Sequence, residues 1–156
     1  MSRSFLAAVL VALALPGLAL AATTKGTSGD DTLTGTPGAD RIFGKAGNDK
    51  IDGLAGKDRL FGGRGNDTLT GGDGNDRIRA GRGADKVDAG AGDDHVNVRD
   101  READTVDCGA GHDHVKADKA DTLTGCEHAK VRGVHAKPHP KPKHPKPHPK
   151  PKHPKP

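Results

Sequence analysis

Residues 44–81 read GKAGNDKIDGLAGKDRLFGGRGNDTLTGGDGNDRIRAG, with an aspartate at every ninth position: Asp49, Asp58, Asp67 and Asp76. A branched aliphatic stands two residues after each (Ile51, Leu60, Leu69, Ile78), and a glycine two before (Gly47, Gly56, Gly65, Gly74). Outward from this stretch, the same nine-residue frame runs without a gap from Gly26 to Asn97, eight units in all. Its sixth position is Asp31, Asp40, Asp49, Asp58, Asp67, Asp76, Asp85 and Asp94; its fourth is always Gly, and its eighth always Leu, Ile or Val. Repetition at a fixed period decides an architecture before local propensity does.

Composition excludes an ordinary core. The 156 residues include 23 Gly, three Phe and no Trp or Tyr, so layers of large side chains cannot be assembled. One aliphatic at the centre of a three-residue strand points inward while its neighbours point outward. Glycines at fixed turn positions adopt conformations that other residues resist. Burial of one side chain per nine residues is too little to offset the ordering of a Gly-rich backbone. Stacked aspartates add like-charge repulsion. A cation therefore belongs to the fold. The turns offer hard oxygen donors and no Cys or His, which suits calcium rather than zinc or copper, and suits it better than magnesium with its strict octahedron. The competing reading is a metal-free solenoid in which each Asp caps its turn. Asn or Ser would then serve at some sixth positions, and neither occurs there.

The units resemble RTX, or haemolysin-type calcium-binding, nonapeptide repeats, GGxGxDxUx with U aliphatic. GGRGNDTLT (62–70) and GGDGNDRIR (71–79) match most fully, whereas Thr27, Thr36, Lys45 and Leu54 replace the second glycine. The resemblance implies an all-β chain, a bacterial exported protein built as a parallel β-roll. This is a right-handed solenoid with two units per coil, six residues of each unit turning and three forming a strand. It also implies several calcium ions, each between turns 18 residues apart: Asp31 with Asp49, Asp40 with Asp58, Asp49 with Asp67, Asp58 with Asp76, Asp67 with Asp85 and Asp76 with Asp94. Asp113, in a later restored unit, joins these metal ligands, and Asp104 is a weaker candidate.

The ends of the chain read differently. MSRSFLAAVLVALALPGLALAATT has a basic start, an apolar run and an Ala-Leu-Ala site, so residues 1–21 are expected to be a signal peptide. Pro16 and Gly17 break the run short of the about 20 residues a membrane span needs, so no transmembrane segment is expected after cleavage. The mature protein is then secreted or held at the cell surface. In an oxidising compartment Cys108 and Cys126 form one bridge, worth about 3 kcal/mol in the chain-entropy account.

The β-roll is expected over 22–97, with degenerate repeats and a stapled cap over 98–134. There VRDREADTVD has ten residues, CGAGHDHVK restores the pattern, and ADKADTLTG loses a residue before Asp121. Residues 135–156 form a disordered polyproline-type tail with HPKPKHPKP twice. Lys137–Pro156 carries seven Lys and no acid, against 17 basic and 21 acidic residues in Ala22–Ala136. The tail would suit an anionic cell-surface polymer; nucleic acid is not expected as a partner.

Two further sets stand out. In a parallel roll Arg41, Arg59 and Arg77 would stack on one face beside Phe43, Phe61 and Arg79, either as a surface for an anionic polymer or as a solvated face on which the two rings pack together. His95, His112, His114 and His128 cluster in sequence around the cap and could hold a transition metal. No catalytic set emerges: Ser28 is the single serine after the leader, the cysteines are bridged, and so thin a roll leaves no enclosed cavity. The expectation is a non-enzymatic calcium-binding repeat protein that folds on calcium and acts structurally or in adhesion. The alternative is a fragment or accessory of an RTX-type secreted enzyme or toxin.

Overall fold

The computed structural model describes residues 9–11, as backbone, and residues 21–132. Its strands fall into two seven-stranded sheets. The first takes β1 (Val9–Val11), β3 (Thr32–Thr34), β5 (Lys50–Asp52), β7 (Thr68–Asp73), β9 (Lys86–Ala91), β11 (Thr105–Asp107) and β13 (Thr122–Thr124). The second takes β2 (Thr23–Lys25), β4 (Arg41–Ala46), β6 (Arg59–Arg64), β8 (Arg77–Arg82), β10 (His95–Asn97), β12 (His114–Asp118) and β14 (His128–Arg132). Every pairing is parallel, as between Ile42 and Leu60 and between Leu60 and Ile78. Consecutive strands alternate between the sheets, so two units make one coil. The fold is the all-β parallel solenoid that the repeats imply.

The period of two explains the core. Leu33, Ile51, Leu69, Val87 and Val106 from the first sheet meet Ile42, Leu60, Ile78, Val96 and Val115 from the second, each no more than 2% exposed. Each such burial contributes roughly 1.5–3 kcal/mol. The strands of mid-roll are longer than the three residues expected: β6, β7, β8 and β9 each run for six. The reason is a second inward position at the start of the next unit. Gly62, Gly71, Ala80 and Ala89 there are buried, and pairing continues past them, Gly63 with Gly81 and Gly72 with Gly90.

The irregular unit is absorbed without ending the roll. Its extra residue lies between β10 and β11, so Val87 pairs with Val106 and Val96 with Val115. The last coil is shorter, with Val115 against Ala129. Cys108 and Cys126 are bonded across neighbouring coils with Cα atoms 5.2 Å apart. β1 pairs with β3 and falls inside the stretch read as a leader. The rest of that stretch, apart from Ala21, and the Lys/His/Pro-rich tail lie outside the described residues.

Candidate metal centre

The sixth-position aspartates line the turns, and burial is their first property. Asp31, Asp40, Asp49, Asp58, Asp67, Asp76, Asp85, Asp94, Asp104 and Asp113 are all at most 3% exposed. From Asp31 to Asp94, each main-chain N–H donates to Oδ1 of the aspartate one coil further on, at 2.7–2.9 Å. Those bonds pair Asp31 with Asp49 and each following aspartate as the repeat implies. They also continue to Asp85 with Asp104 and Asp94 with Asp113, across the inserted residue. Asp104 N–H ends this row on Asp121 Oδ1 at 3.2 Å.

The second carboxylate oxygen divides the row in two. In the first two units Thr27 and Thr36 bond Oδ2 of Asp31 and Asp40 through both main-chain N–H and hydroxyl. The aspartate there caps its own turn, as the metal-free reading supposed. From Asp49 to Asp113, Oδ2 of all eight aspartates is buried and meets no hydrogen-bond donor. A buried carboxylate oxygen left without a partner is costly.

That oxygen does have company of another kind. A Cβ built on Gly62 would run into Asp67 Oδ2 and the carbonyl oxygen of Ala80, one coil on. At Gly44 the same space is bounded by Asp49 Oδ2 and the carbonyl oxygen of Gly62. Carboxylate and main-chain carbonyl oxygens thus converge beside these glycines, a hard-oxygen set that fits calcium, and Ala80 and Ala89 hold the same place before Asp85 and Asp94. The electrostatics agree. Burial, then carboxylates a coil away, push Asp58, Asp67 and Asp94 up to about 7. Asp104 is also raised to about 7, Asp85 to about 6, and Asp49 and Asp76 are raised in the same direction, burial again being the main cause.

A row of buried, under-partnered carboxylates along the turns of a parallel β-roll has the chemistry to hold cations. Residues 25–60, 34–69 and 61–96 each match the RTX calcium-binding nonapeptide repeat in its four-copy form. Residues 25–96 belong to that repeat family, and the chain is a calcium-binding repeat protein. No curated protein matches the sequence.

The other candidates are placed as follows. Arg41, Arg59 and Arg77 stand in register, and the rings of Phe43 and Phe61 stack with centroids 4.7 Å apart and planes 4° apart. His95, His114 and His128 form one row, with ring centroids 5.1 and 5.4 Å apart. His112 leaves that row to meet Glu127 at 2.9 Å, which raises its pKa. His112, Glu127 and His128 bring ligand atoms within 4.8 Å of one another on an exposed surface. The sequence gives no sign of Glu127, because the shortened last coil sets its position.

Proposed function

We propose that this is a secreted, non-catalytic module whose calcium-filled turns hold the roll together, serving a structural or surface-adhesion role. What supports the reading is the set of eight buried Oδ2 atoms without donors. The ligands would be Asp49, Asp58, Asp67, Asp76, Asp85, Asp94, Asp104 and Asp113, with turn carbonyls, each aspartate being shared between coils. Asp31 and Asp40 contribute less, since threonine holds their free oxygens. Bound calcium supplies the positive charge that lets buried carboxylates stay ionised. The leader-like start and the Cys108–Cys126 bridge fit an extracellular setting, where the Lys-rich tail would attach the module to an anionic polymer. Removal of residues 1–21 would also remove β1 and leave β3 as the edge of its sheet.

The test is a calcium titration followed by circular dichroism. Folding should be half complete near the roughly 10⁻⁴–10⁻³ M typical of extracellular calcium modules. Asp67→Ala strips a carboxylate shared by two coils and should raise that midpoint about tenfold, equivalent to about 1.4 kcal/mol. Asp31→Ala should change it less than threefold. Equal β content in excess chelator and in millimolar calcium would overturn the proposal.

A further inference from the structure

The second sheet has an outer face unlike the first. β6 and β8 run on to Arg64 and Arg82, whereas β10 stops at Asn97. From there the ten-residue unit swings outward, and an open groove of about 1340 Å³ lies between the sheet and residues 99–101 and 118–120. Its cationic lining is Arg64, Arg79, Arg82, Arg99, Arg101 and Arg132, joined by Lys119. Against these seven stand two carboxylates, Asp100 and Asp118, and the main chain occupies both. Asp100 accepts from Gly83 N–H at 2.9 Å and Glu102 N–H at 2.7 Å, and Asp118 accepts from Arg101 N–H at 2.9 Å. Arg99 clamps the bulge by donating to the Lys130 carbonyl at 2.8 Å. Arg64, Arg79, Arg82 and Arg101 are exposed and form no ion pair among the described residues.

The arrangement carries two costs. Arg101 has φ 84, a left-handed conformation that side chains disfavour. Arg64 is in register with Arg82, and Arg59 with Arg77, on strands about 4.8 Å apart. Like charges directly opposite on neighbouring strands repel. On the outer face of the first sheet Lys50 and Lys86 stand opposite threonines, and the like-charged residues in register there are the carboxylates Asp88 and Asp107. A ligand that repeats negative charge along the groove relieves the repulsion.

We propose that this groove binds a linear anionic glycan through its guanidinium groups. The proposal rests on the calcium-dependent folding above, because the sheet exists only in the folded roll. Guanidinium forks match carboxylate and sulfate oxygens in pairs, and a linear chain can follow rows repeating once per coil. A flat bilayer would meet the rim and not the floor. Single-stranded nucleic acid needs open aromatic faces for its bases. The one aromatic residue in the groove, Phe61, presses its ring against Phe43 instead.

The experiment measures binding of a size-defined heparin oligosaccharide to the full chain by calorimetry, in fixed free calcium and in chelator. Binding by the tail should persist in both, so the calcium-dependent increment reports the roll. Arg64→Glu with Arg82→Glu should cost at least tenfold in calcium and reduce affinity to the chelator level. Arg41→Glu with Lys50→Glu makes the same charge change outside the groove and should cost less than threefold. Arg101→Gln, a milder change at the exposed bulge, should cost about threefold without altering the calcium-induced dichroism. Equal losses from the two double variants, or tighter binding of a DNA strand or anionic vesicles of matched charge, would overturn the groove. A wild-type chain that folds with calcium yet shows no calcium-dependent increment would overturn it while the calcium reading stands. A chain that does not fold with calcium would overturn both.

Discussion

At the scale of single residues the aspartates behave as proton sites as well as metal sites. In the metal-free roll Asp58, Asp67, Asp94 and Asp104 have carboxyls raised to about 7 by burial foremost, against about 4 in an unfolded chain. A raised folded-state value means that the folded chain holds its protons more tightly. Their stabilisation is therefore fully present below about pH 4 and lost as pH rises through about 7. Without calcium, β content should be greatest in mild acid and fall toward pH 8. Calcium must displace those protons, so its midpoint should rise as pH falls from about 7 to 5, with proton release on binding that calorimetry in buffers of different ionisation heat would detect. A midpoint independent of pH over that range would contradict the burial of these carboxylates. Thr27 and Thr36 supply a second residue-scale prediction. Replacing both by Gly removes the hydroxyl donors and leaves Oδ2 of Asp31 and Asp40 only a main-chain N–H each, which should raise the number of calcium ions bound, as read by equilibrium dialysis. An unchanged count would mean that the threonines do not block these turns.

At the scale of a strand and its turn, the second position of each unit from the third onward governs backbone strain. Gly63 and Gly72 take φ 129 and 102 there, and Lys45 and Leu54 are forced into the same region at φ 85 and 75. Leu54 is 41% exposed, so its side chain returns little burial for the strain. Leu54→Gly should stabilise the calcium-loaded roll by about 0.5–1 kcal/mol, the left-handed penalty less the entropy of a new glycine. Gly72→Ala should do the opposite, because its Cβ would meet the Leu54 carbonyl oxygen. Denaturant unfolding in saturating calcium checks both, and a destabilised Leu54→Gly would show that the turn is not strained. These elements also show what a sequence can reveal. The nine-residue period gives strand positions, inward residues and the order of aspartate pairs, because each depends on spacing alone. The threonine caps were visible only as missing glycines, since a hydroxyl four residues before an aspartate has no meaning until the turn brings them together. Asp104 was obscured by the insertion, which breaks the spacing while the register survives. The groove joins residues spread from Phe61 to Arg132; the repeat announced Arg79 and Phe61 on one face, but no local pattern brings Arg99, Arg101 and Arg132 to them.

At the scale of the whole molecule each coil touches only its neighbours, so stability is a chain of local terms and the ends decide where fraying starts. The first turns are closed by Thr27 and Thr36, and the last coils by the Cys108–Cys126 bridge, whose partners are 18 residues apart. Such a loop contributes about 3 kcal/mol in the chain-entropy account, and it does so where the regular spacing fails and partnered coils run out. Cys108 belongs to the buried core, whereas β14, beyond the bridge, is exposed throughout. Changing both cysteines to Ser should therefore unfasten the last coils and leave the ladder from Asp49 to Asp94 intact. Amide hydrogen exchange in saturating calcium should accelerate by about a hundredfold over residues 105–132 and by less than about threefold over 41–91. The calcium midpoint read by dichroism should move by no more than about twofold. The wild-type protein should show no free thiol after denaturation. Uniform loss of protection along the chain would mean that the roll unfolds as one unit, and the bridge would then stabilise every calcium site instead of the end alone.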